Sequence, residues 1–443
     1  MDDTKDTTAS TAPPKKELNS SRIKLGFIGV LSNGDESAFS PFHTVIVRAL
    51  GGGDVALGLI GSIMQSVAQL FAWIGAVILR FFKFNRKGMV WALGAGALVQ
   101  VAVVVLLVLA GKTSASTTPW LYGYIGLITL MLVLTGAQQT IIASWIGDLV
   151  PTHKRGWFVS GMAITSNIGL ILFQLFFAHV ATYAEGLVGY AALMGLVCLN
   201  TVVAIVLCFG IPDRPSLAVK FISKEPGEHV NYRFGPMWLL IWFECAWRVG
   251  RVALSAFSTA YLLDHFGMEM SKIILLGMII NVVNIFMLYI VGRISDRTGN
   301  RKPLALISFI AGSSMLLWVS TAWWGIWPIF AYMVINGIAG STHWMLVTNL
   351  SLEVYPVKGR PNFLSFSKTF VGLVLMGGGT FAGYLMSLLR GWEITLWGAA
   401  FTHYHVFFIG CTAITLTCLL PLWFLGKLKL PEPDDEEVAT AGP

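Results

Sequence analysis

The sequence has few charged residues. Asp, Glu, Lys and Arg together make up 12% of the 443 residues, against about a quarter in a typical soluble domain. Hydrophobic residues make up 55% of the chain, and the mean hydropathy is +0.71. A chain of this composition cannot cover its folded core with a surface that water solvates well. The sequence therefore predicts an integral membrane protein.

Motifs for catalysis and metal binding are also absent. The sequence contains no metal-ligand spacing, no nucleophile elbow and no glycine-rich nucleotide loop. The five cysteines lie within apolar runs, where they are small membrane-helix residues rather than disulfide partners or metal ligands. We therefore expect a protein that is not an enzyme and that has no cofactor and no metal site.

Long apolar runs occupy most of the chain. At about 20 apolar residues per membrane crossing, 443 residues hold about a dozen helices. The loop signals between the runs predict an all-α integral membrane fold with twelve crossings. The crossings are placed near residues 23–49, 54–80, 88–110, 120–147, 157–182, 188–211, 236–263, 271–291, 304–321, 327–351, 366–389 and 402–426.

Lys and Arg residues are distributed unevenly between the loops. If both termini are cytoplasmic, 24 of the 30 lie in cytoplasmic segments, and four (Arg48, Lys112, Lys272 and Arg390) lie near the outer face. This bias follows the positive-inside rule, so the net charge of +7 needs no nucleic-acid partner. It predicts a multi-pass protein of a cell membrane, either a bacterial inner membrane or a plasma membrane.

Polar stretches predict how the chain is divided. The longest internal one separates six crossings from six, as a linker between two halves does. The predicted parts are a disordered cytoplasmic tail over 1–21, an N-terminal half over 22–211, a cytoplasmic linker over 212–233, a C-terminal half over 234–426 and a cytoplasmic tail over 427–443.

An internal repeat supports two related halves. D-L-V-P-T-H-K-R-G-W-F-V-S from Asp148 aligns without gaps with E-V-Y-P-V-K-G-R-P-N-F-L-S from Glu353. Each segment follows the fourth crossing of its half, and the alignment also pairs Arg155 with Arg360. Parallel repeats related by an axis normal to the membrane occur among secondary transporters.

A glycine-broken basic loop lies between crossings 8 and 9. Residues 292–302 read G-R-I-S-D-R-T-G-N-R-K, in which Gly299 permits the positive φ of a tight turn. The loop resembles the signature of the major facilitator superfamily, G-x-x-x-D-[RK]-x-G-[RK]-[RK], with Asn300 as the one departure. The matching residues are Gly292, Asp296, Arg297, Gly299, Arg301 and Lys302. The segment from Asp148 to Gly156 also resembles the loop between helices 4 and 5 of this superfamily.

The resemblance implies two pseudo-symmetric six-helix halves with a cytoplasmic gate. We expect Asp296 to cap the start of crossing 11 and, with Arg297 and Glu353, to hold the cytoplasmic side shut. The first-half counterpart, R-F-F-K-F-N-R-K over 80–87, keeps the cations but lacks the Asp and the paired glycines. This predicts an asymmetric gate. The glycine-and-proline signature of drug/proton antiporters is missing from crossing 5.

Ionisable residues inside a membrane helix are costly and therefore mark candidate functional sites. Crossing 7 carries Glu244, Arg248 and Arg251 on one face, at spacings of 4 and 3. Glu244 precedes Arg248 by four residues, the favourable order for an ion pair within a helix. This face is the clearest candidate for a polar wall inside the membrane.

Crossing 1 carries the complementary acids. Glu36 shares a face with His43, whereas Asp35 points about 100° away around the helix, and Pro41 predicts a kink just past both. In the superfamily that the chain resembles, helices 1, 4, 7 and 10 line the central cavity. Crossings 4 and 10 then add Gln138, Gln139, Asn336 and His343.

Two interpretations of these charges stay open. In one, Asp35 or Glu36 pairs permanently with Arg248 or Arg251 and fastens the two halves together. In the other, the pairs form and break as the cavity alternates, or Glu36 takes up a proton that drives transport.

The sequence thus predicts a secondary active transporter that moves a small polar or anionic solute by alternating access. Proton-coupled symport is the expected mode. The alternatives are a drug or metabolite exporter by proton antiport and a non-transporting membrane sensor with the same fold. The expected partners are a small-molecule solute and the lipid bilayer, without nucleic acid, and the chain is expected to be a monomer.

Overall fold

The computed structural model of the chain is almost entirely helical. It describes residues 15–34, 40–113, 118–150, 155–183, 186–213, 235–355 and 360–428. Its helices are α1 (Lys15–Gly34), α2 (Ser40–Ala49), α3 (Asp54–Leu70), α4 (Trp73–Phe82), α5 (Asn85–Lys112), α6 (Thr118–Leu149), α7 (Arg155–Ala181), α8 (Gly186–Phe209), α9 (Gly235–Asp264), α10 (Met270–Thr298), α11 (Arg301–Ser314), α12 (Leu316–Trp324), α13 (Trp327–Val354), α14 (Arg360–Leu389), α15 (His403–Leu416) and α16 (Leu419–Lys427).

Each of the twelve predicted crossings overlaps a helix or a helix pair of the described chain. Crossings 1, 2, 9 and 12 are the pairs α1/α2, α3/α4, α11/α12 and α15/α16, and α3 meets α4 at a bend of 45°. In the described residues, eight spans are long and apolar enough to cross a membrane, or nine with the α3/α4 pair. Helix α9 is 30 residues long but is not among them, because its charged residues lower its hydropathy.

The start of α1 corrects one sequence prediction. Residues 15–21 were expected to belong to a disordered tail, yet they form the first turns of a helix that begins at Lys15. The physical reason is burial: Leu18 is only 3% exposed and joins an apolar cluster with Leu25 and Phe158. An apolar residue in a polar stretch thus anchors this segment.

A short β-hairpin, which the sequence did not predict, lies between α14 and α15. Strands β1 (Glu393–Leu396) and β2 (Ala399–Thr402) pair antiparallel. The two-residue turn has positive φ angles, 47° at Trp397 and 78° at Gly398, as a tight hairpin turn requires. All four residues of β1 are exposed, so no alternation of apolar and polar residues marks the strand.

The loops lie on two opposite faces of the helix bundle. The tail face is the side at which α1 begins and α16 ends, and the hairpin face is the side that carries β1 and β2. One apolar cluster, which includes Phe42, Met64, Phe257 and Phe407, joins both halves of the chain near the hairpin face. Toward the tail face the two halves have separate clusters, one within 18–211 and one within 237–425. The halves are therefore fused at one face and separate at the other.

Close backbone contact between α3 and α14 strengthens this fusion. A Cβ atom added to Gly58 would lie 2.6 Å from the Cα of Gly383 and 2.7 Å from the carbonyl oxygen of Gly379. Since real Cβ atoms essentially never make contacts that short, only glycine fits where α3 touches α14. Small residues that let helix backbones approach are typical of packing in membranes.

We predict that Gly58→Leu separates α3 from α14. Overpacking of a tight contact typically costs about 1–3 kcal/mol, so the thermal unfolding midpoint in detergent should fall by several degrees. Gly126→Leu is the matched control, because nothing lies within 4 Å of a Cβ atom at Gly126. Equal unfolding midpoints for the two variants would contradict the close contact.

Candidate functional site

The polar face predicted for crossing 7 lies on α9 and packs against α13. The imidazole of His343 stacks on the ring of Trp247, with centroids 4.1 Å apart and planes at 12°. It also stacks on Phe243, at 5.5 Å and 19°. The guanidinium carbon of Arg251 lies 4.7 Å from the centroid of the Trp247 ring. Residues four apart on α9 thus form a stack of flat groups to which α13 contributes one ring.

Arg251 is held by a neutral partner. Its Nη2 atom donates a hydrogen bond to Oδ1 of Asn336 on α13. Its Nη1 atom is buried and has no hydrogen-bond partner within the described part of the chain. The sequence placed Arg251, Asn336 and His343 on two cavity-lining helices, and the structure brings all three together around Trp247.

The ion pair predicted within α9 is present. Arg248 Nε lies 2.9 Å from Glu244 Oε2. Lys368 on α14 interacts electrostatically with both residues. Helix α14 begins at Arg360, so Lys368 lies about two turns inside the helix.

The first-half candidates are arranged differently. Asp35 and Glu36 lie outside the described residues, so their proximity to Arg248 or Arg251 stays a prediction. His43 is buried, and its Nδ1 lies 2.5 Å from the hydroxyl oxygen of Tyr124. Gln138 is buried against α5, where it donates to the carbonyl oxygen of Ala92 at 3.4 Å. Gln139 is exposed. The structure does not bring the two glutamines to the α9–α13 stack.

Ion pairs join the two halves at the hairpin face. Arg48 at the end of α2 pairs through both terminal nitrogens with Asp264 at the end of α9, and Tyr404 donates to the same carboxylate at 2.9 Å. Arg390 Nε lies 3.9 Å from Asp54 Oδ2, which links α14 to α3. Arg48 and Arg390 are two of the four cations that the sequence placed near the outer face.

A small cavity lies between the halves on the inner side of these pairs. Its volume is about 30 Å³, enough for water but not for a larger solute. Its lining includes His43 and Thr44 from α2, Gln65 from α3, and Ser255 and Thr259 from α9. Residues of both halves therefore meet around this cavity, on the side of the ion pairs.

A matching pair of contacts lies at the tail face, one in each half. Asn85 Nδ2 donates to Asp148 Oδ2 at 2.7 Å, and Asn300 Nδ2 donates to Glu353 Oε1. Each asparagine begins an N-R-K triplet, over 85–87 and over 300–302. Each carboxylate ends the fourth crossing of its half. We call these two contacts the asparagine clasps.

The clasps explain Asn300, the one departure from the superfamily signature. Its Oδ1 accepts from the hydroxyl of Ser295 and from Asn349 Nδ2 at 3.3 Å, so one side chain ties the α10–α11 turn to α13. In this respect the halves are alike, although the sequence predicted an asymmetric gate. The repeated N-R-K triplet was the signal that the sequence analysis overlooked.

The other predicted gate residues are less well connected. Gly299 has the expected positive φ, at 75°, and Arg297 is exposed. Arg301 has a buried Nε atom for which the described ranges of the chain provide no hydrogen-bond partner. The helical positions of Gly292, Asp296, Arg155 and Arg360 are described but the surroundings of their side chains are not, so the cap by Asp296 stays a prediction.

The match to a known family now decides what the chain is. The family model described as Major Facilitator Superfamily matches residues 25–335, well over half of the chain. The chain belongs to the major facilitator superfamily. No curated protein matches it in sequence.

Solved structures of superfamily transporters have the same fold. The nucleoside transporter NupG aligns with a TM-score of 0.65 and 11% identity, over 93% of this chain and 100% of its own. A bacterial homologue of the human lysosomal transporter Spinster, in an inward-facing and occupied conformation, aligns with a TM-score of 0.66 and 17% identity, over 95% and 100%. A D-xylose–proton symporter aligns at 0.62 and 16%, over 94% and 97%. At these identities the likeness shows the fold of this superfamily member.

Membership confirms the predicted fold class. The protein is an all-α, multi-pass membrane protein with the major facilitator fold, and its relatives are transporters rather than enzymes.

We predict that Asn300→Asp breaks its clasp, because it sets a second carboxylate against Glu353. Loss of a hydrogen bond to a charged group costs about 1.5–3 kcal/mol, so amide hydrogen exchange in residues 295–304 should rise about tenfold or more. Asn300→Arg, which restores the superfamily residue, should leave exchange low. Thr298→Asp is the control, since Thr298 is exposed and its hydroxyl bonds only nearby backbone carbonyl oxygens, those of Ile294 at 2.9 Å and Gly299 at 3.5 Å. A similar rise in Asn300→Asp and Thr298→Asp would contradict the clasp.

Proposed function

We propose that this superfamily member is a secondary active transporter that moves a small polar or anionic solute by alternating access. The observation that carries the proposal is the charged group of Glu244, Arg248 and Arg251 on one helix of a bundle whose halves share an apolar cluster at one face only. Charges inside a membrane protein are expensive and mark solute or ion pathways. A bundle that is closed at one face and separate at the other offers such a pathway to one side.

The tail face is the cytoplasmic face in this proposal, and both termini are cytoplasmic. The uneven distribution of Lys and Arg supports this orientation. The described structure then corresponds to an inward-facing state, closed toward the outside by the Arg48–Asp264 and Asp54–Arg390 pairs. The membrane is a bacterial inner membrane or a plasma membrane.

The contacts between the halves and the contacts within each half have different roles in this transport cycle. The ion pairs at the hairpin face join the halves and must break when the protein opens outward. The asparagine clasps lie within each half, so they can keep the helix ends of each half rigid while the halves move. Movement of two halves about a central site is the general mode of such transporters.

Proton coupling through Glu36 is the proposed source of energy. A carboxylate beside an arginine stays ionised, whereas one left in an apolar cavity takes up a proton. Movement between halves would therefore load and unload Glu36 as its distance to Arg251 changes. A proton symporter among the structural neighbours supports this mode. The solute and the lipid bilayer are the partners, the protein acts as a monomer, and no cofactor takes part.

The proposal is tested by uptake into proteoliposomes from a panel of sugars, carboxylates, amino acids and nucleosides. We expect the wild-type protein to accumulate a solute along a proton gradient. Glu36→Gln should lose accumulation but keep exchange of solute at equal pH, because exchange does not require proton release from the empty carrier. Glu17→Gln, which changes an exposed acid of α1, is the control.

Each other result points to a different conclusion. Accumulation by Glu36→Gln at the wild-type level would move the coupling role to Asp35 or Glu244. Accumulation against the proton flow, out of the cytoplasmic side, would favour the drug or metabolite exporter. Binding without flux in the wild-type protein would favour a sensor.

We also predict that Asp264→Asn opens the hairpin face, because it removes the charge that holds Arg48 and Tyr404 together. The distance between spin labels at Thr113→Cys and Trp397→Cys, in a variant without native cysteines, should shift toward longer values. Glu269→Gln is the control: it breaks an ion pair on the same face, with Lys272 at 3.4 Å, that stays within one half. An unchanged distribution for Asp264→Asn would show that the pair does not hold the face closed.

A further inference from the structure

Two buried polar atoms of the α9–α13 stack have no hydrogen-bond partner among the residues that the structure describes. They are Nη1 of Arg251 and Nε2 of His343. His343 is only 7% exposed, so water does not readily replace a missing partner there. Buried polar groups are nearly always paired in folded proteins, and an unpaired charged donor is the costliest case. Two such atoms on facing helices indicate a missing ligand.

The two groups are held in fixed orientations. Trp247 contacts both of them, since its ring lies against the His343 imidazole and against the Arg251 guanidinium. The Asn336 amide oxygen fixes a second point on Arg251, and Phe243 lies parallel to His343. Donors that are already ordered before a ligand binds lose little conformational entropy on binding. The site is therefore built rather than accidental.

The charges of the described residues favour an anion. On the same wall, Arg248 is neutralised by Glu244 at 2.9 Å. Arg251 instead bonds to a neutral amide, so its charge is not compensated by a described carboxylate. Lys368 on α14 interacts with Glu244 and Arg248, at the other end of this charged face. A guanidinium matches the two oxygens of a carboxylate, and hydrogen bonds between ionised groups are about twice as strong as neutral ones.

We infer that Arg251 and His343 form the subsite for a carboxylate group of the solute. This inference rests on the proposed transport function. Arg251 Nη1 donates to one carboxylate oxygen, and His343 Nε2, as the N–H tautomer, donates to the other. Asn336 and Trp247 act as positioning residues. One uncompensated guanidinium suits a monoanionic carboxylate better than a doubly charged phosphate.

The test compares each acid with its uncharged amide. The probes are benzoate with benzamide and lactate with lactamide, measured by their effect on the thermal unfolding midpoint of the purified full chain. We expect an acid to stabilise the wild-type protein and its amide to have no effect. Arg251→Gln should weaken binding of the acid about tenfold to a hundredfold, as loss of a charged hydrogen bond implies, and Arg251→Lys should weaken it less.

Arg293→Gln is the matched control. Arg293 also lies over an aromatic ring, 4.2 Å from the centroid of Tyr289, but it is exposed on α10 away from the stack. This variant should bind the acid as the wild-type protein does. Asn336→Ala tests positioning, and we expect weaker acid binding without any gain in amide binding.

A carboxylate of the chain itself is the competing occupant, and the acids of crossing 1 provide one. If Glu36 fills the subsite permanently, acid probes will stabilise Glu36→Gln but not the wild-type protein, and that result would overturn the inference. Equal effects of acid and amide on the wild-type protein, including no effect of either, would also overturn it.

The inference and the proposed function fail in different ways. If the protein transports a neutral solute and Arg251→Gln leaves that flux unchanged, the carboxylate subsite is wrong and the transport function stands. If the protein binds a carboxylate through Arg251 but shows no flux in proteoliposomes, the subsite stands and the transport function is wrong.

Discussion

The close contact of the two halves near the hairpin face is the constraint on which the rest of the structure depends. Gly58 and Gly383 let α3 and α14 approach until their backbones touch, and a single apolar cluster then extends through both halves. In a membrane, where lipid is as apolar as the side chains, such packing depends on shape more than on hydrophobicity. At the tail face the halves are separate, because each half has its own apolar cluster there.

Charged groups are arranged around this geometry in two ways. At the hairpin face, Arg48 and Arg390 pair with acids of the opposite half, so their attraction stabilises the closed face. Inside the bundle, Glu244 and Arg248 pair within one helix, and Arg251 bonds to the neutral Asn336. A charge in a medium of low polarity requires either a partner or a ligand. Arg251 has only a neutral partner among the described residues, so it is the residue on which the proposed ligand site depends.

The asparagine clasps show how a departure from a family signature can keep its role. The superfamily signature has a cation where this chain has Asn300. An amide can donate to a carboxylate without adding charge, and Asn300 also accepts two hydrogen bonds, which an arginine or lysine cannot do. Asn85 makes the corresponding contact with a carboxylate, that of Asp148, in the first half.

Local patterns determined the features that depend on neighbours in the sequence. The apolar runs predicted the crossings, and the spacing of four predicted the Glu244–Arg248 pair, because helix geometry alone brings those side chains together. Features that depend on contacts between distant helices needed the tertiary structure. It brought Lys368 near Glu244 and Arg248, turned Gln138 toward α5 and stacked His343 on Trp247. Residues on different crossings meet only when the halves pack, so the residue types of the site were visible in the sequence, but the partner of each was decided by the fold.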